Sequence, residues 1–278
     1  MKKSMHLLLV VALALPLAGC DFLDRLLSVN LFDSELTLSV AEVSEMTVEE
    51  LQEEARSPDF YDLLESDPAI EDEVLDEADD TIADPASTTT EVQDAAILGA
   101  HVEIYTSPAG DLIDNLVDNL DVLSDPPLDG FGDPDIAAIL ELLVPPSVMV
   151  GGVIQEAAFL DMIDSLLDAA DYFEVLGMEL AGGGYDTDYA NPGQIAQNAL
   201  VAALVAAIDM PLTYDDDGDP LTNPPSMSNY LFDLLTGEPV DAPVDYSFPS
   251  LDPVDPEYDE SLHNIFLAAG LDPADFGL

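Results

Sequence analysis

From residue 26 to the end of this 278-residue chain there is a single cation, Arg56, among dozens of carboxylates. The whole sequence holds 59 Asp and Glu against four Lys and Arg, and three of those four (Lys2, Lys3 and Arg25) fall within the first 25 positions. A fold cannot neutralise such an excess by internal ion pairing. It must keep nearly every acid at the surface while burying the 48% of residues that are apolar. An isolated buried carboxylate costs several kcal/mol unless it takes up a proton. The chain therefore needs elements with one apolar and one wet face, and the spacing of its acids shows which.

In DLIDNLVDNLDVL the apolar set Leu112, Ile113, Leu116, Val117, Leu120 and Leu123 recurs three and four apart, with Asp111, Asp114, Asp118 and Asp121 opposite. DMIDSLLDAADYF repeats the plan: Ile163, Leu166, Leu167, Ala170 and Phe173 face inward, and Asp161, Asp164, Asp168 and Asp171 face outward. The same period predicts helices over 91–105, 111–123, 134–143, 153–180 and 193–209. Shorter ones are expected at 47–56, 59–66, 69–80, 227–235 and 258–269. Thr47 with Glu50 three positions later has the spacing of a capping box, and Pro58 is expected to end that helix. EDEVLDEADD is charged enough to fray, and TIADPASTTT (81–90) reads as a linker. The run 195–208 is apolar nearly all round, the pattern of a helix at the centre of a bundle. Gln93-Asp94-Ala95-Ala96, Gln155-Glu156-Ala157-Ala158 and Gln197-Asn198-Ala199 read as similar helix openings, whose small residues would let neighbouring helices approach closely.

The expected fold is all-α: an irregular helical bundle or a repeat-like array of paired antiparallel helices, with a Pro-rich C-terminal wrap. The segments are 1–19, a signal peptide; 20–36, a tether; 37–90, acidic helices and linker; 91–210, the helical core; and 211–278, the Pro-rich stretch packed on it. Leu98-Gly99 followed by an antiparallel helix is faintly similar to a tetratricopeptide unit, but the chain has no tryptophan and no 34-residue period.

The first twenty residues have their own grammar. Lys2-Lys3, then the apolar run Leu7 to Leu15, then Pro16 and small residues, match a secretory signal. The run is too short to cross roughly 30 Å of hydrocarbon. Leu17-Ala18-Gly19-Cys20 resembles the lipobox of bacterial lipoproteins. That resemblance implies acylation of Cys20, cleavage before it and an extracytoplasmic, membrane-anchored protein. Asp21 leans toward the inner membrane. Cys20 is the sole cysteine, so the chain forms no internal disulfide.

The same composition excludes several classes of activity. Phosphate neutralisation needs Lys and Arg, so nucleic acid is not an expected partner, and the membrane is held through lipid alone. Lysine chemistry is absent after Lys3, and no GxSxG elbow or SxxK pair occurs. The acid excess leads us to expect a halophilic or marine source, since about 1 M salt shortens the screening length to roughly 3 Å. A zinc site from the distant His101 and His263 plus carboxylates is conceivable, but His101 lies among Ala100, Val102 and Ile104, so a partly buried structural histidine is expected there. One local motif suits a hard cation: Asp215, Asp217 and Asp219 alternate around Gly218, as Ca²⁺ would require. It departs from the EF-hand pattern at Pro220 and in lacking the twelfth-position glutamate. The expectation is thus a binding or scaffold protein rather than an enzyme, accessory to an envelope transport or assembly system, with a protein or small-ligand partner. The alternative is a Ca²⁺-binding envelope protein using the 215–219 loop, and a metal-assisted hydrolase is the remaining option.

Overall fold

The computed structural model describes residues 38–118, 144–151, 153–181, 184–185, 191–208, 232, 251 and 258–271. Cys20, the loop 215–219 and the expected helix 134–143 lie outside the described residues, as does 227–235 apart from Phe232.

Among the described residues the fold is all-α, with one small hairpin. In chain order the helices are α1 (Val40–Val43), α2 (Val48–Glu54), α3 (Pro58–Ser66), α4 (Pro68–Ala83), α5 (Thr89–Tyr105) and α6 (Ala109–Asp118). After the hairpin come α7 (Glu156–Leu180), α8 (Pro192–Ile208) and α9 (Glu260–Ala268). The hairpin, β1 (Met149–Val150) and β2 (Val153–Ile154), pairs Met149 with Ile154 and Val150 with Val153.

Local chemistry sets the boundaries. Thr47 Oγ1 accepts from Glu50 N–H at 3.3 Å while the Glu50 carboxylate accepts from Thr47 N–H at 3.0 Å, the expected capping box. Thr88 and Glu91 repeat it at the head of α5. Pro58 and Pro68 each stand at the first position of a helix, where the missing N–H costs nothing. Pro58 thus starts α3, and α2 has already ended at Glu54. The acidic stretch after Pro68 does not fray. It is helical to Ala83 because Ile70, Val74 and Ala78 form a buried stripe beneath its acids, and the linker shrinks to 84–88.

α7 carries the expected two-faced pattern: Ile163, Leu166 and Phe173 are buried, and Asp161, Asp164, Asp168 and Asp171 are exposed. It begins at Glu156 rather than 153, since Val153 and Ile154 are claimed by the hairpin. Gly151, which takes φ +63°, permits that tight reversal. The three similar openings are not equivalent. Gln93 lies inside α5, Gln155 precedes α7 and Gln197 lies inside α8.

The central helix is α5, not the apolar run 195–208. Every residue from Ala95 to Val102 is buried, because α2, α4, α6 and α7 surround it. α8 buries Ile195, Ala196, Ala199, Leu200, Val201 and Ala202 but leaves Ala203 to Ala206 half-buried. Helix α9 docks on α7 and α8. Asp259 caps its start by accepting from Leu262 N–H at 2.9 Å, and Gly270 (φ +74°) ends it. The described part of the C-terminal segment is therefore a packed helix.

Candidate functional site

Three helices meet along one seam that gathers carboxylates. α5 runs antiparallel to both α4 and α7, so its Gly99 and Glu103, one turn apart, face α4 on one side and α7 on the other. At one end the ring of Tyr172 on α7 lies over Gly99. A Cβ there would come within 2.5 Å of the ring, so only glycine admits so close an approach. From this position Tyr172 reaches across to α4, its hydroxyl donating to Asp79 Oδ1 at 2.9 Å. One side chain thus pins three helices.

At the other end Thr106, the residue closing α5, stands 2.5 Å from Glu71 Oε1 on α4 and 2.7 Å from the carbonyl of Val102. A hydroxyl has one proton to give. The Thr106 hydroxyl is therefore shared as donor between the Glu71 carboxylate and the Val102 carbonyl, its helical i−4 partner. Burial pushes the Glu71 carboxyl up; the Thr106 contact works the other way, and Asp72, Asp161 and Glu65 push it up further.

Between these ends lies Glu103, half-buried. Burial is the largest cause raising its carboxyl, followed by the negative charges of Asp168, Glu71, Asp79 and Asp161. Together they bring it to about 7. Asp168, on the rim, is raised by partial burial and by Asp171 and Asp164. Burial and the adjacent Asp79 carboxylate likewise raise the Tyr172 phenol. The acids spread along more than two turns of α4 and α7 rather than around one point. Among the described residues no group of three or more His, Cys, Asp or Glu could hold a metal ion.

A second, neutral cluster joins α5 to α8. Tyr105 Oη accepts from Gln194 Nε2 at 2.7 Å and Asn198 Nδ2 at 3.2 Å. The rings of Tyr61 and His101 pack on Tyr105 at 5.3 and 5.5 Å. His101 is buried, as its apolar neighbours imply, and burial lowers its pKa to about 4, so it is neutral at physiological pH. It brings no positive charge to the seam. His263 is half-buried on α9, with Nδ1 2.9 Å from the carbonyl of Leu251 and its ring on Tyr258. The two histidines serve separate packing contacts.

The sequence reading passed over Glu71, Asp79, Glu103, Thr106 and Tyr172, and treated Asp161 and Asp168 only as outward-facing acids. A signal existed in Glu103, the one acid between Ala95 and Tyr105. On a helix covered on most sides, such a residue is only partly open to water. Comparisons with protein-family models, with curated proteins and with solved structures find no significant match to this chain.

Proposed function

We propose that the chain is a lipid-anchored, extracytoplasmic helical binding or scaffold protein of a bacterial envelope, accessory to a transport or assembly system. The observation that carries this reading is the order Lys2-Lys3, Leu7 to Leu15, Leu17-Ala18-Gly19-Cys20 at the start of the chain. Each buried acyl CH₂ contributes about 0.8 kcal/mol, so two or three chains on Cys20 hold a protein firmly where one is marginal. The motif itself supplies attachment through lipid, and no helix among the described residues is long and apolar enough to cross a membrane. Repulsion between 59 acids and anionic headgroups would otherwise keep the helical body off the bilayer. Intact-mass analysis of protein recovered from membranes tests the anchor: acyl chains on an N-terminal Cys20 are expected, and Cys20→Ser should move the protein to the soluble fraction. An unmodified thiol in membrane-recovered protein would remove the reading.

A second reading rests on the alternating Asp215, Asp217 and Asp219, which suit Ca²⁺. Calorimetry separates a site from a diffuse ion atmosphere: one saturable event lost in Asp217→Ala marks a site, and identical weak multi-site titrations dismiss it.

A further inference from the structure

We infer that the seam between α4, α5 and α7 is a proton-operated latch: it closes with protons held among Glu103, Glu71 and their neighbours, and loosens when all of them are charged.

The inference begins with geometry. Half-buried Glu103 lies one turn from Gly99, where the Tyr172 ring brings α7 onto α5, and three residues before Thr106, which contacts Glu71 of α4. Facing it are Glu71 and Asp79 from α4 and Asp161, Asp168 and Tyr172 from α7. The other neighbours of α5 offer no relief. Asp114 of α6 acts on Tyr105 with the same sign, and His101 is neutral. Arg56, beyond α2, is held by Glu53 at 3.1 Å on the exposed surface. In most proteins a Lys or Arg would neutralise such a pocket of acids, but this chain has no other cation after Arg25. Protons are the counter-charge that remains.

The linkage has a definite sign. A carboxyl whose folded value stands above its unfolded one binds more protons in the native state. The stabilisation is full below the ordinary carboxylate value of 4.5 and is lost as pH rises through about 7. At its steepest, each proton taken up on folding changes the folding equilibrium constant by about tenfold per pH unit. The consequence is a body that is tight in mildly acidic surroundings and looser along one seam in alkaline ones. Diffuse repulsion among surface acids would produce the same trend, but salt screens it, whereas the half-buried Glu103 and Glu71 are screened less.

The test is denaturant unfolding of the full chain at a series of pH values between about 5 and 9, in about 1 M salt to suppress the diffuse contribution. Wild type should lose stability as pH rises through about 7. Glu103→Gln, a neutral mimic of the protonated acid, should flatten that limb and be more stable than wild type above it. Glu49→Gln, on the exposed face of α2, should keep the wild-type slope. Hydrogen exchange in wild type gives a second readout: amides of α7 around Leu166 to Phe173 should lose protection at high pH, beyond the intrinsic base-catalysed rate. A Glu103→Gln protein with the wild-type slope, one that fails to fold, or a seam whose protection ignores pH would each overturn the latch.

Discussion

Two of the contacts that helix α7 makes are built alike but charged differently. Toward its middle it meets α5 and α4, where Gly99 lets the Tyr172 ring settle and carboxylates line the crevice. Near its C-terminus it meets α9, where Gly177 lies against the backbone of Ser261 and a Cβ would fall on that backbone. There the surroundings are apolar: Leu176, Leu180, Leu262, Ile265 and Phe266 are buried, and Asn264 Nδ2 donates to the Gly177 carbonyl at 3.1 Å. Both seams use glycine to bring helices together. What differs is the dependence on solution conditions. Apolar contact is indifferent to protons, while a crevice of acids without cations is governed by them.

The largest test of this contrast lies in the apolar seam. Phe266→Ala should cost about 3–5 kcal/mol, the usual range for truncating a buried aromatic, and by the same amount at pH 6 as at pH 8 in unfolding experiments. A loss that varied strongly with pH would mean that the seams are not separable. Next, Gly177→Ala should cost about 1–3 kcal/mol by overpacking, with α9 becoming the first site of protease cleavage, since backbone cannot step aside as a side chain can. Tyr172→Phe should cost less, about 1 kcal/mol for one hydrogen bond, while keeping the ring on Gly99. Its effect should fade at high pH if the seam is already loosened there, and persist unchanged if it is not.

Smallest and outside both seams is the capping box of α2, where Thr47→Ala should cost about 0.5–2 kcal/mol, independent of pH near neutrality. The box at the head of α5 sharpens the sign. Hydrogen bonds from the Thr88 N–H and hydroxyl hold the Glu91 carboxyl below its usual 4.5, so its contribution is present above that value and lost as pH falls. Glu91→Gln should flatten the acid limb of the stability curve, as Glu103→Gln flattens the alkaline one. The two helix positions are twelve residues apart on α5 and pull in opposite directions because Glu91 is exposed and hydrogen-bonded while Glu103 is half-buried among other acids.

Much of this was written locally. Leu166 and Phe173 inside with Asp164 and Asp171 outside, the Thr47 cap, the burial of His101 and the helix at 258–269 all follow from spacing and from neighbours a few residues away. Other features were misread by the same logic. The acidic run after Pro68 looked too charged to hold, because its three buried residues (Ile70, Val74 and Ala78) gain their value only from the helices packed against them, α5 foremost. The apolar run 195–208 looked central, yet α5 is, because centrality counts how many other helices surround an element. The second strand of the hairpin, Val153–Ile154, was absorbed into the helix expected from 153, since two residues per strand carry no period.

By itself the sequence determined that this chain is helical, acid-coated and almost without positive charge, because those properties are set by composition and by repeats of three and four along one strand of backbone. Only the tertiary structure decided that Glu103 would be caught between α4 and α7, and that Gly99 and Gly177 would be the points of closest approach. A carboxylate's fate depends on which other helix covers it. That choice is made through contacts between residues tens of positions apart, about which local periodicity is silent.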